Sequence, residues 1–178
     1  MSMLNAVKGF CVVVVAITLW GCSTQIEDYK GEQPALKLEE FFNGDLVAYG
    51  MVQDYSGKVI QRFKADLQGT WNGNNGVLDE QFYYADGTTQ ERIWRITKTG
   101  ENTYEGRADD VADVAVGTTA GNVLNWSYTL IIQRDGEPFE VKLDDWLYLV
   151  DEDNMINRTK MYKFGIEVGE ITLYIGKK

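Results

Sequence analysis

The sequence predicts an all-β fold, an antiparallel up-and-down β-barrel of roughly eight to ten strands with a short N-terminal helix. From Asp45 onward, apolar and polar residues alternate with a period of two, which is typical of strands that bury one face. Turn signals such as Ser56-Gly57 and Asp86-Gly87 recur roughly every 12 to 17 residues. Only two Pro occur, Pro34 and Pro138, so no Pro breaks the strands between them. Long consecutive antiparallel strands favour a barrel over a short-stranded sandwich.

The polar faces of these strands point to a domain that lies in water. In the segment 62–71 the side chains of Phe63, Ala65 and Leu67 share one face, and charged or polar residues take the other. A similar segment, 124–133, places Trp126 among apolar neighbours. A membrane-spanning barrel would show the opposite arrangement, with an apolar outer surface and a polar interior.

Length and composition exclude several functions. A chain of 178 residues fits one domain with its own core. The net charge of −10 argues against nucleic acid as a partner. There is no His, and both Cys, Cys11 and Cys22, lie near the N-terminus. These counts exclude a Ser-His-Asp triad, a Cys-His nucleophile and a zinc site with nitrogen or sulfur ligands. We expect no metal and no cofactor, and a monomer.

The N-terminal segment, residues 1–21, is predicted to be a lipoprotein signal peptide. Lys8 precedes an apolar run from Phe10 to Trp20, which is shorter than the roughly 20 residues of a membrane-spanning helix and fits a signal sequence. The run ends at Leu19-Trp20-Gly21-Cys22, which resembles a bacterial lipobox. The resemblance implies cleavage before Cys22, diacylation of its thiol and acylation of the new amino group. An ordinary signal peptide or a short uncleaved anchor is the alternative interpretation.

Acylation of Cys22 would make the membrane a partner of this protein, because two or three acyl chains form a stable anchor. By analogy with enterobacterial sorting, Ser23 after the acylated residue implies the inner leaflet of the outer membrane, facing the periplasm. The inner membrane is the alternative location. Residues 22–33 are mostly polar and show no hydrophobic period, which predicts a lipidated, flexible tether.

Residues 34–178 are predicted to form a single β-barrel domain. Its first element is a short helix between Pro34 and Asn43-Gly44, because Pro suits a first turn and Asn-Gly suits a helix end. The side chains of Leu38, Phe41 and Phe42 fall on one face of this helix. Such a helix could close one end of the barrel.

Few charged residues fall on faces that the alternation places inside the barrel. In two neighbouring predicted strands, Glu80 shares a face with Tyr84, and Arg92 shares a face with Trp94. A hairpin at Asp86-Gly87 with an odd-numbered loop would set Glu80 opposite or diagonal to Arg92. Because burial of a lone charge costs several kcal/mol, we expect this acid and this base to pair.

A second inward acid is Asp145, which shares its face with leucines. A hairpin at Glu152-Asp153 with an even-numbered loop would oppose Asp145 to Lys160 or Arg158. The acidic runs Asp109-Asp110 and 151–153 lack the spacing of a calcium loop and are predicted to be solvated turns.

Two interpretations of the inward charges stay open. They are structural ion pairs, or they orient the head group of a ligand in a mostly apolar cavity. On the second interpretation the candidate ligand-binding residues are Glu80, Arg92, Trp94, Tyr84, Asp145 and Arg158. The abundant aromatic residues either fill the barrel or line a pocket for an apolar chain. No catalytic residue is assigned.

Several stretches carry a family resemblance, among them Leu38-Glu-Glu-Phe-Phe-Asn-Gly44, Gly69-Thr-Trp-Asn-Gly73 and Asp144-Asp-Trp-Leu-Tyr148. Together they resemble the domain of unknown function 3833, a family of bacterial envelope lipoproteins. The resemblance implies a small envelope lipoprotein, and it suggests a link to membrane fatty-acid modification. Gly69-Thr-Trp71 is also similar to the Gly-x-Trp motif of lipocalins, although here it ends the second predicted strand. A lipocalin-like barrel is therefore expected.

Three functions follow from these observations. The leading hypothesis is a noncatalytic, lipid-anchored protein that binds a fatty acyl or similar apolar ligand. The second is an enzyme acting on a modified fatty acid, with Glu80 or Asp145 as a general acid or base whose pKa burial raises. It is less favoured because His and a usable Cys are absent from the sequence. The third is a structural or assembly partner of another envelope protein.

Overall fold

A computed structural model describes residues 24–134 and 136–178 of the chain. The signal peptide, Cys22 and Asp135 lie outside the described residues. A short 3₁₀ helix, Ile26–Tyr29, and one turn of α-helix, α1 (Leu38–Phe41), precede ten strands. These strands are β1 (Gly44–Asp54), β2 (Val59–Asn72), β3 (Asn75–Tyr84), β4 (Thr89–Lys98), β5 (Thr103–Arg107), β6 (Ala115–Ala120), β7 (Val123–Arg134), β8 (Glu137–Leu149), β9 (Asn154–Lys163) and β10 (Ile166–Lys177). Within the described part of the chain, no helix has the length and apolarity needed to cross a bilayer.

The strands form a closed antiparallel up-and-down barrel, which confirms the predicted fold class. Each strand pairs with the next in sequence, and β10 pairs with β1, so the sheet closes on itself. The two-residue period explains which side chains lie inside. Along β8, for example, Leu143, Asp145 and Leu147 are buried, and Asp144 and Trp146, which alternate with them, lie on the outer face. Because β1 pairs with β10, neither of these strands is left as a terminal edge that would invite pairing with another chain.

The helix α1 closes the end of the barrel at which β1 begins, as the sequence predicts. Its Leu38 and Phe41 are buried, as is Phe42 just after it. Observed α1 is shorter than the predicted helix, because the chain before it is extended and the Leu36 N–H donates to the Gly121 carbonyl at 2.8 Å.

The Gly69-Thr-Trp71 motif holds this closing segment in place. The Trp71 indole N–H donates to the backbone carbonyl of Phe42 at 3.0 Å. Gly69 lies directly beneath the same carbonyl, and any Cβ there would overlap its oxygen. On the other side of α1, the Glu39 carboxylate accepts a hydrogen bond from the Tyr104 hydroxyl at 2.8 Å and pairs with Lys98. The end of the barrel is therefore fixed from both sides.

Within the predicted tether, residues 22–33, the 3₁₀ helix Ile26–Tyr29 packs on the barrel wall at β6 and β7. The Tyr29 ring lies 6.2 Å from the Trp146 ring and 5.8 Å from the Tyr148 ring, both on the outer face of β8. Gly121, with a φ of 53°, lets the backbone of Tyr29 and Glu32 approach the turn between β6 and β7. A single aromatic anchor has no periodicity, so the sequence pattern did not reveal this contact.

The barrel wall is irregular between β4 and β7. On β4, the short strand β5 pairs with the last four residues alone, Arg95–Lys98. In the described chain, the first half of β4 therefore has no strand beside it on the side away from β3. The segment 108–114 crosses this region. It contacts β7 through a bridge between Val111 and Leu130 and through an Ile131 N–H that donates to the Asp110 carbonyl at 2.8 Å. This segment brings the Asp110 side chain to the interior.

The tight packing of Gly69 under Phe42 leads to a first prediction. Gly69→Ala should lower the free energy of unfolding by about 1–3 kcal/mol, because the added methyl group must displace the backbone of the closing segment. Urea unfolding followed by tryptophan fluorescence measures the change. Thr70→Ala, at the exposed neighbouring position, is the control and should change stability by less than about 0.5 kcal/mol. Equal stability of both variants would contradict the assigned role of Gly69.

Candidate ligand-binding cavity

The barrel encloses a cavity of about 850 Å³. Ligand pockets typically span about 300–1,000 Å³, so this volume suits an organic ligand. Most lining side chains are apolar and come from all sides of the barrel, including Val52, Phe63, Leu67, Leu78, Phe82, Trp94, Trp126, Leu130, Leu143, Met161, Leu173 and Ile175.

The cavity is closed at one end and open at the other. At the α1 end its lining residues, among them Leu38, Phe42 and Ile175, are buried. At the opposite end the lining includes exposed residues such as Ile60 and Ile132, which are 58% and 39% exposed. An apolar molecule could therefore enter through this open end and reach the closed one.

Arg92 is the centre of a cluster of polar side chains in the cavity wall. In the β3–β4 register it lies directly opposite Glu80, as predicted, with 3.7 Å between its Nη1 and the Glu80 Oε2. The Arg92 Nε donates to the Asp110 Oδ2 at 2.8 Å, and its Nη2 lies 2.8 Å from the same atom. The guanidinium thus joins β3, β4 and the segment 108–114.

A chain of hydrogen bonds extends this cluster of polar side chains to Tyr84. The Tyr84 hydroxyl donates to the Gln90 Oε1 at 2.9 Å, and the Gln90 amide donates to Asp110 at 3.2 Å. The sequence predicts Tyr84 and Arg92 as site residues but places Asp110 in a solvated turn. The turn is confirmed and Asp109 is exposed in it, but the Asp110 side chain lines the cavity, because the segment 108–114 folds back across the gap beside β4. No local spacing could have indicated this.

Asp145 lies deep in the cavity wall at 8% exposure, but its neighbours differ from those predicted. The β8–β9 register opposes Asp145 to Thr159, not to Lys160 or Arg158. Arg158 lies on the outer face, where its Nη2 contacts both Glu170 carboxylate oxygens at 2.8 Å. The predicted pairing of Asp145 with Arg158 is wrong by one residue of register, which turns every side chain of a strand to the other face.

The β8–β9 turn explains this register. The Asp151 Oδ1 accepts hydrogen bonds from the Asp153 N–H at 2.9 Å and from the Asn154 side-chain amide at 2.8 Å. The turn is therefore organised by Asp151, and Leu149 pairs with Met155. An odd number of residues separates this pair, whereas the predicted loop was even-numbered.

Burial governs the charge state of both inward acids. It raises the pKa of Glu80 to about 7, and the nearby positive charge of Arg92 only partly opposes this effect. Burial also raises the pKa of Asp145 to about 7, although hydrogen bonds from the Thr159 and Tyr128 hydroxyls favour its charged form. One oxygen of each acid, the Glu80 Oε2 and the Asp145 Oδ1, has no hydrogen-bond partner.

The aromatic residues have different roles. Some fill the barrel interior, and others hold the closing segment or the N-terminal segment. Trp94 lines the cavity, as predicted, and its ring lies 5.8 Å from the Trp126 ring and 5.2 Å from the Tyr128 ring. The Trp126 indole lies flat against two glycines, Gly106 on β5 and Gly117 on β6. Trp71 and Trp146, by contrast, hold the closing segment and the N-terminal segment.

Fold and cavity together define a lipocalin-like β-barrel with an internal cavity of ligand size. The chain belongs to the family described as protein of unknown function (DUF3833), whose model matches residues 16–177. This confirms the family resemblance seen in the sequence. No curated protein matches the chain.

Three solved structures are similar in fold. The S-type phycobiliprotein lyase CPES from Guillardia theta has a TM-score of 0.58 at 10% identity, covering 87% of this chain and 98% of that one. Rv2717c from M. tuberculosis has a TM-score of 0.59 at 15% identity, covering 83% and 99%. A protein of unknown function from the DUF3598 family of Nostoc punctiforme has a TM-score of 0.56 at 12% identity, covering 83% and 51%. At these identities the similarity establishes the fold alone.

The buried acids predict an unusual dependence of stability on pH. Folding raises the pKa of Glu80 from its usual 4.5 and that of Asp145 from its usual 3.8, both to about 7. The folded state therefore binds these protons more tightly than the unfolded state, and their contribution to stability falls as pH rises from about 4 to about 7. Between pH 5 and pH 8, the wild type should lose roughly 1–3 kcal/mol more stability than Glu80→Gln or Asp145→Asn.

Urea unfolding at both pH values measures this difference. Asp79→Asn is the matched control, because Asp79 precedes Glu80 on β3 but faces outward. It should keep the wild-type pH dependence. If Glu80→Gln and Asp145→Asn also keep it, the two acids are not the buried titrating groups.

Proposed function

We propose that this protein is a lipid-anchored, periplasm-facing barrel that binds a fatty acyl chain or similar apolar ligand, linked to the modification of membrane lipids. The observation that carries this proposal is the 850 Å³ cavity, which is open at one end, apolar along its length and polar at one part of its wall. This arrangement suits an amphiphile with a long apolar part. Burial of each CH₂ group contributes about 0.8 kcal/mol, so a chain of roughly ten carbons would gain ~8 kcal/mol before ordering costs.

The rim of the open end supports uptake of an apolar molecule. The neighbouring β1–β2 and β9–β10 hairpins carry exposed apolar side chains there, among them Tyr55, Phe164 and Ile166 at 84%, 91% and 69% exposure. They surround the route to the cavity with apolar surface. An amphiphile leaving a membrane would meet this surface first.

The proposed anchor fits the position of the N-terminal segment. Residues 24–33 pack on the wall at β6, β7 and β8. Cys22 lies two residues before Thr24, the first described residue. Acyl chains on Cys22 would therefore hold the barrel close to the bilayer, within reach of its lipids.

A second candidate function is acid–base catalysis on the bound molecule. It is favoured by the two buried carboxylates, Glu80 and Asp145, whose pKa values of about 7 suit proton transfer near neutral pH. The Tyr128 hydroxyl beside Asp145 would complete such a site. Binding and catalysis are distinguished by the fate of the ligand, which is recovered unchanged after binding and altered after turnover.

Ligand binding is tested by native mass spectrometry and lipid extraction of the purified protein, and by titration with the apolar dye N-phenylnaphthylamine. Val52→Trp should weaken dye binding by about tenfold or more, because a larger side chain occupies the cavity. Met51→Trp, the next residue on the outer face of β1, should leave binding unchanged. A wild-type protein that extracts no lipid and takes up no dye would refute the proposed function.

Lipid anchoring is tested by Cys22→Ser in the full-length protein. The wild type should partition into membranes and incorporate labelled palmitate, whereas the variant should do neither, because the acylated thiol is lost. Cys11→Ser is the matched control and should behave as the wild type. Palmitate labelling that persists in Cys22→Ser would rule out acylation at this residue.

A further inference from the structure

The polar part of the cavity wall has more carboxylates than cations. Among the described lining residues, Arg92 is the only cation, and it shares the interior with Glu80, Asp110 and Asp145. The three carboxylates influence one another, since Asp110 and Asp145 both raise the pKa of Glu80. The charge of one guanidinium cannot balance three ionised acids.

The guanidinium of Arg92 is already occupied by protein groups. It contacts Asp110 at 2.8 Å through two different nitrogens and lies 3.7 Å from Glu80. A ligand carboxylate or phosphate would have to displace Asp110, which holds the segment 108–114 across the wall. Arg92 is therefore a poor receptor for an anionic head group.

Each inward acid, in contrast, keeps one oxygen without a hydrogen bond, and for Glu80 this is the oxygen that lies 3.7 Å from the Arg92 Nη1. The Glu80 Oε2 and the Asp145 Oδ1 are buried and accept no hydrogen bond from the protein. Both side chains line the cavity, Asp145 at 8% and Glu80 at 13% exposure. A buried acceptor without a donor costs about 1–3 kcal/mol, and more when it is charged, so a bound group that supplies a donor recovers this energy.

We propose that the cavity selects amphiphiles whose head group donates hydrogen bonds, namely an amine, hydroxyl or amide, and rejects those that end in a free carboxylate. The donor lies between Glu80 and Asp145, beside the Tyr128 ring, and the apolar chain extends along the cavity. This inference rests on the proposed binding function and deepens it. It distinguishes an acyl ester, acyl amide, alcohol or amine from a free fatty acid.

The electrostatics of the site act in the same direction. The titratable groups that line the described cavity wall are Glu80, Tyr84, Arg92, Asp109, Asp110, Tyr128 and Asp145, and Arg92 is the only cation among them. A ligand carboxylate would therefore be buried next to acids, with like charges in a medium of low polarity. An ammonium group would neutralise them, and a hydroxyl group would donate at no cost in charge.

The test compares three probes with the same ten-carbon chain: decanoate, decanol and decylamine. Each competes with N-phenylnaphthylamine for the full-length protein at pH 8, below the concentration at which it forms micelles. Decylamine and decanol should each bind at least about tenfold more tightly than decanoate, which corresponds to about 1.4 kcal/mol. Glu80→Gln and Asp145→Asn should each reduce this preference severalfold, and Asp79→Asn should leave it unchanged.

The outcomes separate this inference from the proposed function. If dye and all three probes fail to bind, the proposed function itself fails. If decanoate binds as tightly as decanol and decylamine, or more tightly, the barrel binds apolar chains and the assigned head-group selectivity is wrong. A preference that survives both Glu80→Gln and Asp145→Asn would also overturn it, because the charges of these acids would then not be what opposes a ligand carboxylate.

Discussion

The contact between Arg92 and Asp110 is the interaction on which the interior of this barrel depends. The sheet is closed by β1 and β10, but β5 and β6 are too short to cover the full height of the wall between β4 and β7. The segment 108–114 covers that region. The side chain of its Asp110 accepts a hydrogen bond from Arg92 on β4. The same contact occupies the only cation among the described lining residues, so the need to close the wall also determines the charge of the cavity.

The size of the barrel imposes a second constraint. Ten strands enclose more space than small side chains fill, and this chain divides that space unevenly. Near α1, the Trp126 indole lies against Gly106 and Gly117, and the buried Leu38, Phe42 and Ile175 make that end solid. Towards the other end, side chains do not fill the interior. This leaves the open apolar cavity in place of a uniformly packed core.

The sequence predicted the features that depend on the two-residue period and on local turns. It did not predict the features that depend on contacts between segments far apart in the chain. Alternation placed Glu80, Arg92 and Asp145 inside, and the Asp86-Gly87 turn gave the Glu80–Arg92 pairing. Arg158 was misplaced because hydrogen bonds to the Asp151 side chain shift the β8–β9 register by one residue. Asp110 and Tyr29 were missed since each is positioned by a non-periodic segment that packs against distant strands.

The carboxylate that holds α1 and the carboxylates of the cavity wall differ in how the fold satisfies them. Although burial acts to raise the pKa of Glu39, hydrogen bonds from Lys98 and Tyr104 prevail and hold it below its usual value, so this acid is satisfied within the fold. Glu80 and Asp145 instead each keep one oxygen without a hydrogen bond, and burial raises the pKa of each. Closing the barrel requires neither of these two acids to be charged, and apolar residues at their positions would avoid the cost of burying them. Groups that cost stability in this way are typical of sites retained for function, which supports the proposal that the cavity, rather than the well-satisfied segment at α1, receives a ligand.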